Sequence, residues 1–434
     1  MFKRIAMSGW LGLMMACSIG MAADAGFFFH PGDTVVFLGD SITEQRLYTT
    51  YIEAYTLTRF PQQSFIFRNA GWNGDTSWLR MRAHPNEPAL FAANDSNQQA
   101  MIESAVGAGL KRDILPVKPT AVTVDFGMND HAYQAFRPDI FKAYSRSQTE
   151  IVKMLKQNGA RVALLTPQPI EDHRADPDKD LRNQSLRQFS DGLKIVASNE
   201  GALFVDQFSP YMALMLNARA TNLNAMIGGG DAIHPGPAGH TLMAWAILKG
   251  LGAPAEVSSV EFDLTRSFWH QLVRAENCKV SKAAYTQGTL SFLRTDVALP
   301  MPIDLRAMPA LTKAPVLNDL NRYELKVAGL KSDRYEVRID GESVVTTGKD
   351  DLAKGLNLAV IAGPISRQAL EVLSLVVQKN NLYYERWRKC QLSPIAANQA
   401  RIPALDSQIA ALEKQIDAAR QPKPHRFEVA PVVK

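Results

Sequence analysis

Five short apolar runs, Thr34–Leu38, Ser64–Arg68, Ala121–Phe126, Arg161–Leu165 and Leu203–Asp206, alternate with helical stretches across residues 24–254. That alternation favours a parallel sheet covered on both faces, because parallel neighbours need crossover connections. Ser145–Gln157 sets Ile151, Met154 and Leu155 on one helical face, and Gly239–Lys249 is a second helical stretch. Gly159 and Gly201 stand just past a helix and before a strand, as C-terminal caps do. The first apolar run leads directly into Gly39-Asp40-Ser41-Ile42-Thr43, so a serine falls where a buried strand turns into a helix. A hydroxyl there sits beside the unpaired N–H groups of a helix start, which suits a nucleophile whose attack creates an oxyanion.

Three further segments follow in order. Asn69-Ala70-Gly71-Trp72-Asn73-Gly74-Asp75-Thr76 comes after the second apolar run, and Gly127-Met128-Asn129-Asp130 after the third. Asp231-Ala232-Ile233-His234-Pro235 precedes the Gly239–Lys249 helix. The first two lie just beyond strand ends, where open α/β sheets gather ligands. Acyl transfer needs a nucleophile, a base, a group that orients the base, and oxyanion donors. Ser41, His234 and Asp231 fill the first three places; the N–H groups of Ser41 and Gly74 and the Asn129 amide fill the last. Singly, each has a plainer role: a helix N-cap, a strand-end turn, a surface ion pair. As an ordered set they describe a catalytic site.

These blocks resemble the SGNH (GDSL-type) hydrolase superfamily over residues 34–250, in the form found on secreted bacterial proteins with a C-terminal extension. The resemblance implies a three-layer α/β/α, flavodoxin-like fold. It also implies Ser41 as nucleophile, His234 as general base, Asp231 as its orienting partner, and Ser41, Gly74 and Asn129 as the oxyanion hole. Gly74 is taken rather than Gly71 because it immediately precedes Asp-Thr. The Gly-x-Ser-x-Gly elbow of α/β-hydrolases is absent around Ser41. Neither His-Glu-x-x-His nor Cys-x-x-Cys occurs, so no metal site is expected and no cofactor is required.

At 434 residues the chain is long enough for two to three domains. A formal net charge of +5, without a long basic block, gives no support to nucleic-acid binding. Lys3-Arg4, an apolar run from Ile5 to Met21 and Ala22-Ala23 read as a signal peptide over residues 1–23, implying a secreted or periplasmic protein without stable membrane insertion. A lipoprotein anchored through Cys17 ranks second. Cys278 and Cys390 then remain, and in an oxidising compartment they are as well placed to pair as to stay buried thiols.

Two connections stand out within the α/β region. His84–Pro116 is long for a loop and is expected to carry a short helix at Gln98–Val106; a wall of the active-site mouth and a plain surface excursion are equal readings of it. Glu171–Asn183, with His173 and Arg174, reads as a solvated loop.

Beyond Pro254 the texture changes. Val260–Leu264, Tyr323–Val327 and Tyr335–Ile339 alternate as half-buried antiparallel strands, and Asp340-Gly341 signals a hairpin turn into Ser343–Thr346. Pro300, Pro302, Pro309 and Pro315 suggest an irregular connection. Ser366–Asn380 reads as a helix, and Leu405, Ile409, Leu412 and Ile416 mark another. The expected organisation is a catalytic domain at 24–254, a β-rich module at 255–348, and a helical region at 349–434 packing on the rest. Tyr383-Tyr384-Glu385-Arg386-Trp387-Arg388 fits either a sugar-stacking surface or an aromatic anchor between helices, and the anchor is favoured.

The resulting expectation is an extracytoplasmic serine esterase cleaving short acyl, above all acetyl, esters of carbohydrate through a covalent acyl-enzyme. Its partner is a small-molecule or polysaccharide ester. The rivals are a carbohydrate O-acyltransferase, a lipase or lysophospholipase-type acylhydrolase, and a non-catalytic cell-surface binding module.

Overall fold

In β1 (Thr34–Gly39), Val35 and Phe37 pack into one apolar cluster while Val36 and Leu38 pack into another, as the period-2 alternation of a strand requires. A strand buried on both faces is the centre of a layered α/β domain. The computed structural model describes residues 26–173 and 176–432. The expected signal segment and Cys17 lie outside these residues, as does Arg174.

β1 pairs in parallel with β2 (Ile66–Gly71) and β3 (Ala121–Asp125), and β4 (Arg161–Leu165) and β5 (Leu203–Val205) complete a five-stranded sheet in the order β2-β1-β3-β4-β5. Helices Leu47–Arg59, Phe208–Thr221 and Pro237–Gly250 cover one face. Helices Asp95–Asp113 and Pro138–Gln157, with most of Leu181–Glu200, cover the other. This is the expected three-layer arrangement. The strand order reverses at β1, so the ends of β1, β2 and β3 frame a crevice at the sheet's C-terminal edge.

Two details depart from the sequence reading. The second strand starts and ends later than expected, taking in Asn69, Ala70 and Gly71. The His84–Pro116 stretch is largely helical: Asn94 caps a nineteen-residue helix, Asp95–Asp113, by accepting from the Asn97 N–H at 3.0 Å. The short helix expected at Gln98–Val106 is only its middle. No residue of this stretch lines the pocket described below.

The remaining strands are β6 (Glu256–Asp263), β7 (Leu272–Glu276), β8 (Cys278–Thr286), β9 (Thr289–Asp296), β10 (Arg322–Ala328), β11 (Arg334–Ile339), β12 (Glu342–Gly348), β13 (Leu356–Asn357) and β14 (Pro424–Pro431). They form two sheets, β13-β10-β6-β7 and β12-β11-β14-β9-β8. β6 and β10, expected as antiparallel strands, pair in parallel. The β11–β12 hairpin turns at Asp340 and Gly341, both with positive φ, as the dipeptide signalled. The proline-rich connection is packed rather than loose, with Leu299, Met301 and Ala310 buried. The span 349–434 is not helical throughout, because β14 returns to lie between β9 and β11. Cys278 and Cys390 are both buried free thiols. Burial pushes the Cys278 thiol up to about 11.

Helix Pro364–Tyr384 docks on the α/β domain through buried polar groups. The Lys379 ammonium pairs with Glu53, and Asn380 Nδ2 donates to Thr50 Oγ1 at 3.0 Å and Glu53 Oε2 at 2.9 Å. Among the described residues no helix is long and apolar enough to cross a membrane.

Candidate active site

Ser41 opens a four-residue helix directly after β1. Asp40 caps that helix, its Oδ1 accepting from the Ile42 N–H at 2.9 Å. Burial, and then the neighbouring Asp125 carboxyl, push Asp40 well above the usual carboxylate range. Ser41 Oγ lies 3.0 Å from His234 Nε2, and His234 Nδ1 lies 3.2 Å from Asp231 Oδ2. Asp231 Oδ1 accepts from the N–H groups of Ile233 at 2.8 Å and His234 at 2.7 Å. Partial burial pushes Asp231 up, but these N–H groups and the His234 ring outweigh it and hold the carboxyl below its ordinary value. The pair that faces Ser41 is therefore an imidazole backed by an ionised carboxylate.

The histidine loop is held from below. The buried Glu171 carboxylate accepts from the N–H groups of Ile227 and Gly228, the latter at 2.8 Å. Gln168 Nε2 donates to the Ile233 carbonyl at 3.1 Å. Glu171 thus begins as a buried anchor a stretch that the sequence suggested was solvated. The other two histidines near the sheet edge are structural. Burial drives His131 down to about 4 and His240 down to about 3, so both rings stay neutral.

Asn129 follows β3, with Nδ2 donating to the Asp75 carbonyl at 2.9 Å and Oδ1 accepting from the Tyr133 hydroxyl at 2.9 Å. The adjacent Asp130 turns inward and ties two loops, accepting from Ser77 N–H at 2.9 Å and Gly127 N–H at 3.1 Å. Burial raises its carboxyl to about 6. The two glycines after β2 have different tasks. A Cβ on Gly71 would stand 2.2 Å from the Glu44 backbone nitrogen, so this glycine lets the strand approach the Ser41 helix. Gly74 has φ +75, in the left-handed region that favours glycine, directly after Asn73. Asp75 beyond it is fully buried against Arg82, whose Nε lies 2.7 Å from Asp75 Oδ2 and whose Nη1 lies 3.0 Å from Asp113 Oδ2.

Ser41, Asp231 and His234 open onto a pocket of about 410 Å³, whose other lining residues are Glu44, Gln45, Arg46, Asn73 and Tyr384. Glu44 carried no signal in the sequence. Its carboxylate accepts from the Tyr384 hydroxyl at 2.7 Å and from the Asn73 N–H, joining the C-terminal region to the loop that carries Gly74. The aromatic segment divides between its two readings: Tyr383 and Trp387 are buried anchors, while Tyr384 faces the pocket. Trp387 meets the Trp72 ring edge-on at 6.1 Å, and the Arg388 guanidinium lies 3.6 Å over that ring.

Residues 37–242 match the GDSL-like lipase/acylhydrolase family. An acetylxylan esterase from Geobacillus stearothermophilus is 26% identical over 230 residues, which is 51% of this chain and 94% of that protein. A gut microbial diltiazem-metabolizing enzyme of known structure has a TM-score of 0.75 at 23% identity, covering 93% of this chain and 98% of its own. That likeness shows that the fold, C-terminal sheets and helices included, is shared. The chain is a carboxylic ester hydrolase, and its α/β domain belongs to the GDSL-like lipase/acylhydrolase family within the SGNH hydrolase superfamily.

Proposed function

We propose that the protein hydrolyses acetyl and similarly short esters of carbohydrate through a Ser41 acyl-enzyme. The observation that carries this reading is the hydrogen-bonded chain from Ser41 Oγ through the His234 ring to Asp231, with spacings of 3.0 and 3.2 Å. His234 Nε2 takes the Ser41 proton as Oγ attacks the ester carbonyl, and Asp231 stabilises the imidazolium that forms. The Ser41 and Gly74 N–H groups and Asn129 Nδ2 receive the oxyanion. His234 returns the proton to the leaving alcohol, and water cleaves the acyl-enzyme by the same path in reverse.

The acetyl and carbohydrate preference draws support from the acetylxylan esterase relative and from the polar lining of the pocket, which offers no apolar channel for a long acyl chain. Export beyond the cytoplasm rests on the Lys3-Arg4 and apolar N-terminal sequence. The test is hydrolysis of p-nitrophenyl acetate, butyrate and octanoate by the protein and by Ser41→Ala. Acetate turnover that falls with chain length and vanishes in Ser41→Ala is expected. Ser41-independent turnover, or preference for octanoate, would overturn the reading.

A further inference from the structure

The pocket beside Ser41 is built from two parts of the chain that are far apart in sequence. Arg46 adopts a left-handed backbone, φ 60, which for a residue with a side chain is a strained state of the kind that gathers at functional sites. Its guanidinium lies 4.2 Å over the Tyr384 ring, Nε donates to Asn381 Oδ1 at 3.3 Å, and Nη1 donates to the Glu44 carbonyl at 2.7 Å. Among the described residues Arg46 Nη2 has no hydrogen-bond partner, nor has the side-chain amide of Asn73 or the amide nitrogen of Gln45. Three uncommitted polar groups and a tyrosine therefore ring one side of the pocket.

We infer that the Arg46–Tyr384 wall, completed by Asn73 and Gln45, is the subsite for the alcohol portion of the ester, and that it takes a hydroxyl-rich ring. This rests on the serine-esterase reading of Ser41. The carbonyl oxygen points to the oxyanion donors at Gly74 and Asn129, and the leaving alcohol must lie within reach of the proton on His234 Nε2, in the pocket that His234 shares with Arg46 and Tyr384. A sugar ring offers hydroxyls that accept from Nη2 and exchange hydrogen bonds with both amides, and C–H faces that pack on an aromatic side chain. An alkyl alcohol would leave those groups desolvated without partners, a cost that a wet polar alcohol avoids. The helix Pro364–Tyr384 is then part of the substrate site, and its buried Lys379–Glu53 anchor fixes where the ring can sit.

The experiment compares 6-O-acetylglucose with methyl acetate, whose alcohol is too small to reach the wall, in the full-length protein and in Tyr384→Ala and Arg46→Ala. Both variants should lower the ratio of kcat/KM for the sugar ester over methyl acetate by about tenfold or more, as loss of a central contact does. Equal losses on both esters would overturn the subsite and leave Tyr384 as a support for the Asn73 loop. Calorimetric binding of 6-O-acetylglucose in a Ser41→Ala background separates this inference from the reaction itself. Weaker binding on adding Tyr384→Ala supports the subsite even without turnover, whereas unchanged binding overturns it. Absence of Ser41-dependent hydrolysis of methyl acetate would instead count against the esterase reading.

Discussion

The Tyr133 hydroxyl donates to Asn129 Oδ1 at 2.9 Å, and so fixes the orientation of an amide whose Nδ2 donates to the Asp75 carbonyl. In the proposed mechanism a rotated amide would present oxygen, an acceptor, to the oxyanion. Tyr133 itself stands on a backbone with φ 55, as does Ala132 before it, and burial raises its phenol to about 12. The hydroxyl therefore stays protonated, a donor throughout the neutral range. Tyr133→Phe is expected to lower kcat with little change in KM, because the amide is needed more by the transition state than by the bound ester. Steady-state kinetics on p-nitrophenyl acetate checks this, and a change confined to KM would contradict it.

Replacing Asn129 removes the donor itself. Asn129→Ala should cost about 10²–10³ in kcat, equivalent to ~2.7–4 kcal/mol of transition-state stabilisation. The fold should survive, because Asp130, not Asn129, ties the Ser77 and Gly127 loops together. Turnover and circular dichroism measured side by side would test both halves of the statement.

The Lys379–Glu53 pair is buried on both sides, so removing the lysine leaves a buried carboxylate with the Asn380 amide but no counter-charge. Lys379→Ala should destabilise the protein by about 3–5 kcal/mol, and the double substitution Lys379→Met with Glu53→Leu should recover most of that loss. Urea unfolding of the single and double variants is the measurement. Equal loss in both would show that packing, not the orphaned carboxylate, dominates.

Asp125 supplies a pH signature. Burial raises its carboxyl to about 7, opposed by hydrogen bonds from Gln207 and Tyr48. The folded state thus holds a proton that the unfolded chain, titrating near 3.8, has released. The penalty is absent below the unfolded value, grows as pH rises toward 7, and is complete above it. Asp125→Asn should accordingly raise Tm at pH 8 relative to pH 5, by an amount on the order of a few kcal/mol in stability. Thermal melts across that range would reveal it, and a pH-independent difference would refute it.

Ser41, Gly74 and Asn129 were legible because each follows a strand end, where apolar alternation stops and turn residues begin. Asp231 and His234 stand between helices Phe208–Thr221 and Pro237–Gly250 and were legible only as an Asp-x-x-His-Pro block. Glu44 and Arg46 were not, since their partners, Tyr384 and Asn381, lie more than three hundred residues later and no local pattern encodes the meeting. The same limit explains the parallel pairing of β6 with β10. Alternation reveals a half-buried strand but says nothing of its neighbour's direction, which is set by the long excursion between them. Cys278 and Cys390 were equally opaque, because burial as thiols and pairing leave the same trace in a sequence.

The position of β14 bears on synthesis. This strand lies between β9 and β11, both of which leave the ribosome well before it does. Until residues 424–431 arrive, β9 and β11 each carry an open edge able to recruit a strand from another nascent chain. The five strands of the parallel sheet pair only with one another, so their ladders can form first. A chain clipped within the segment before β14 should keep its active-site strands yet become prone to aggregate, its weak point lying far from the serine.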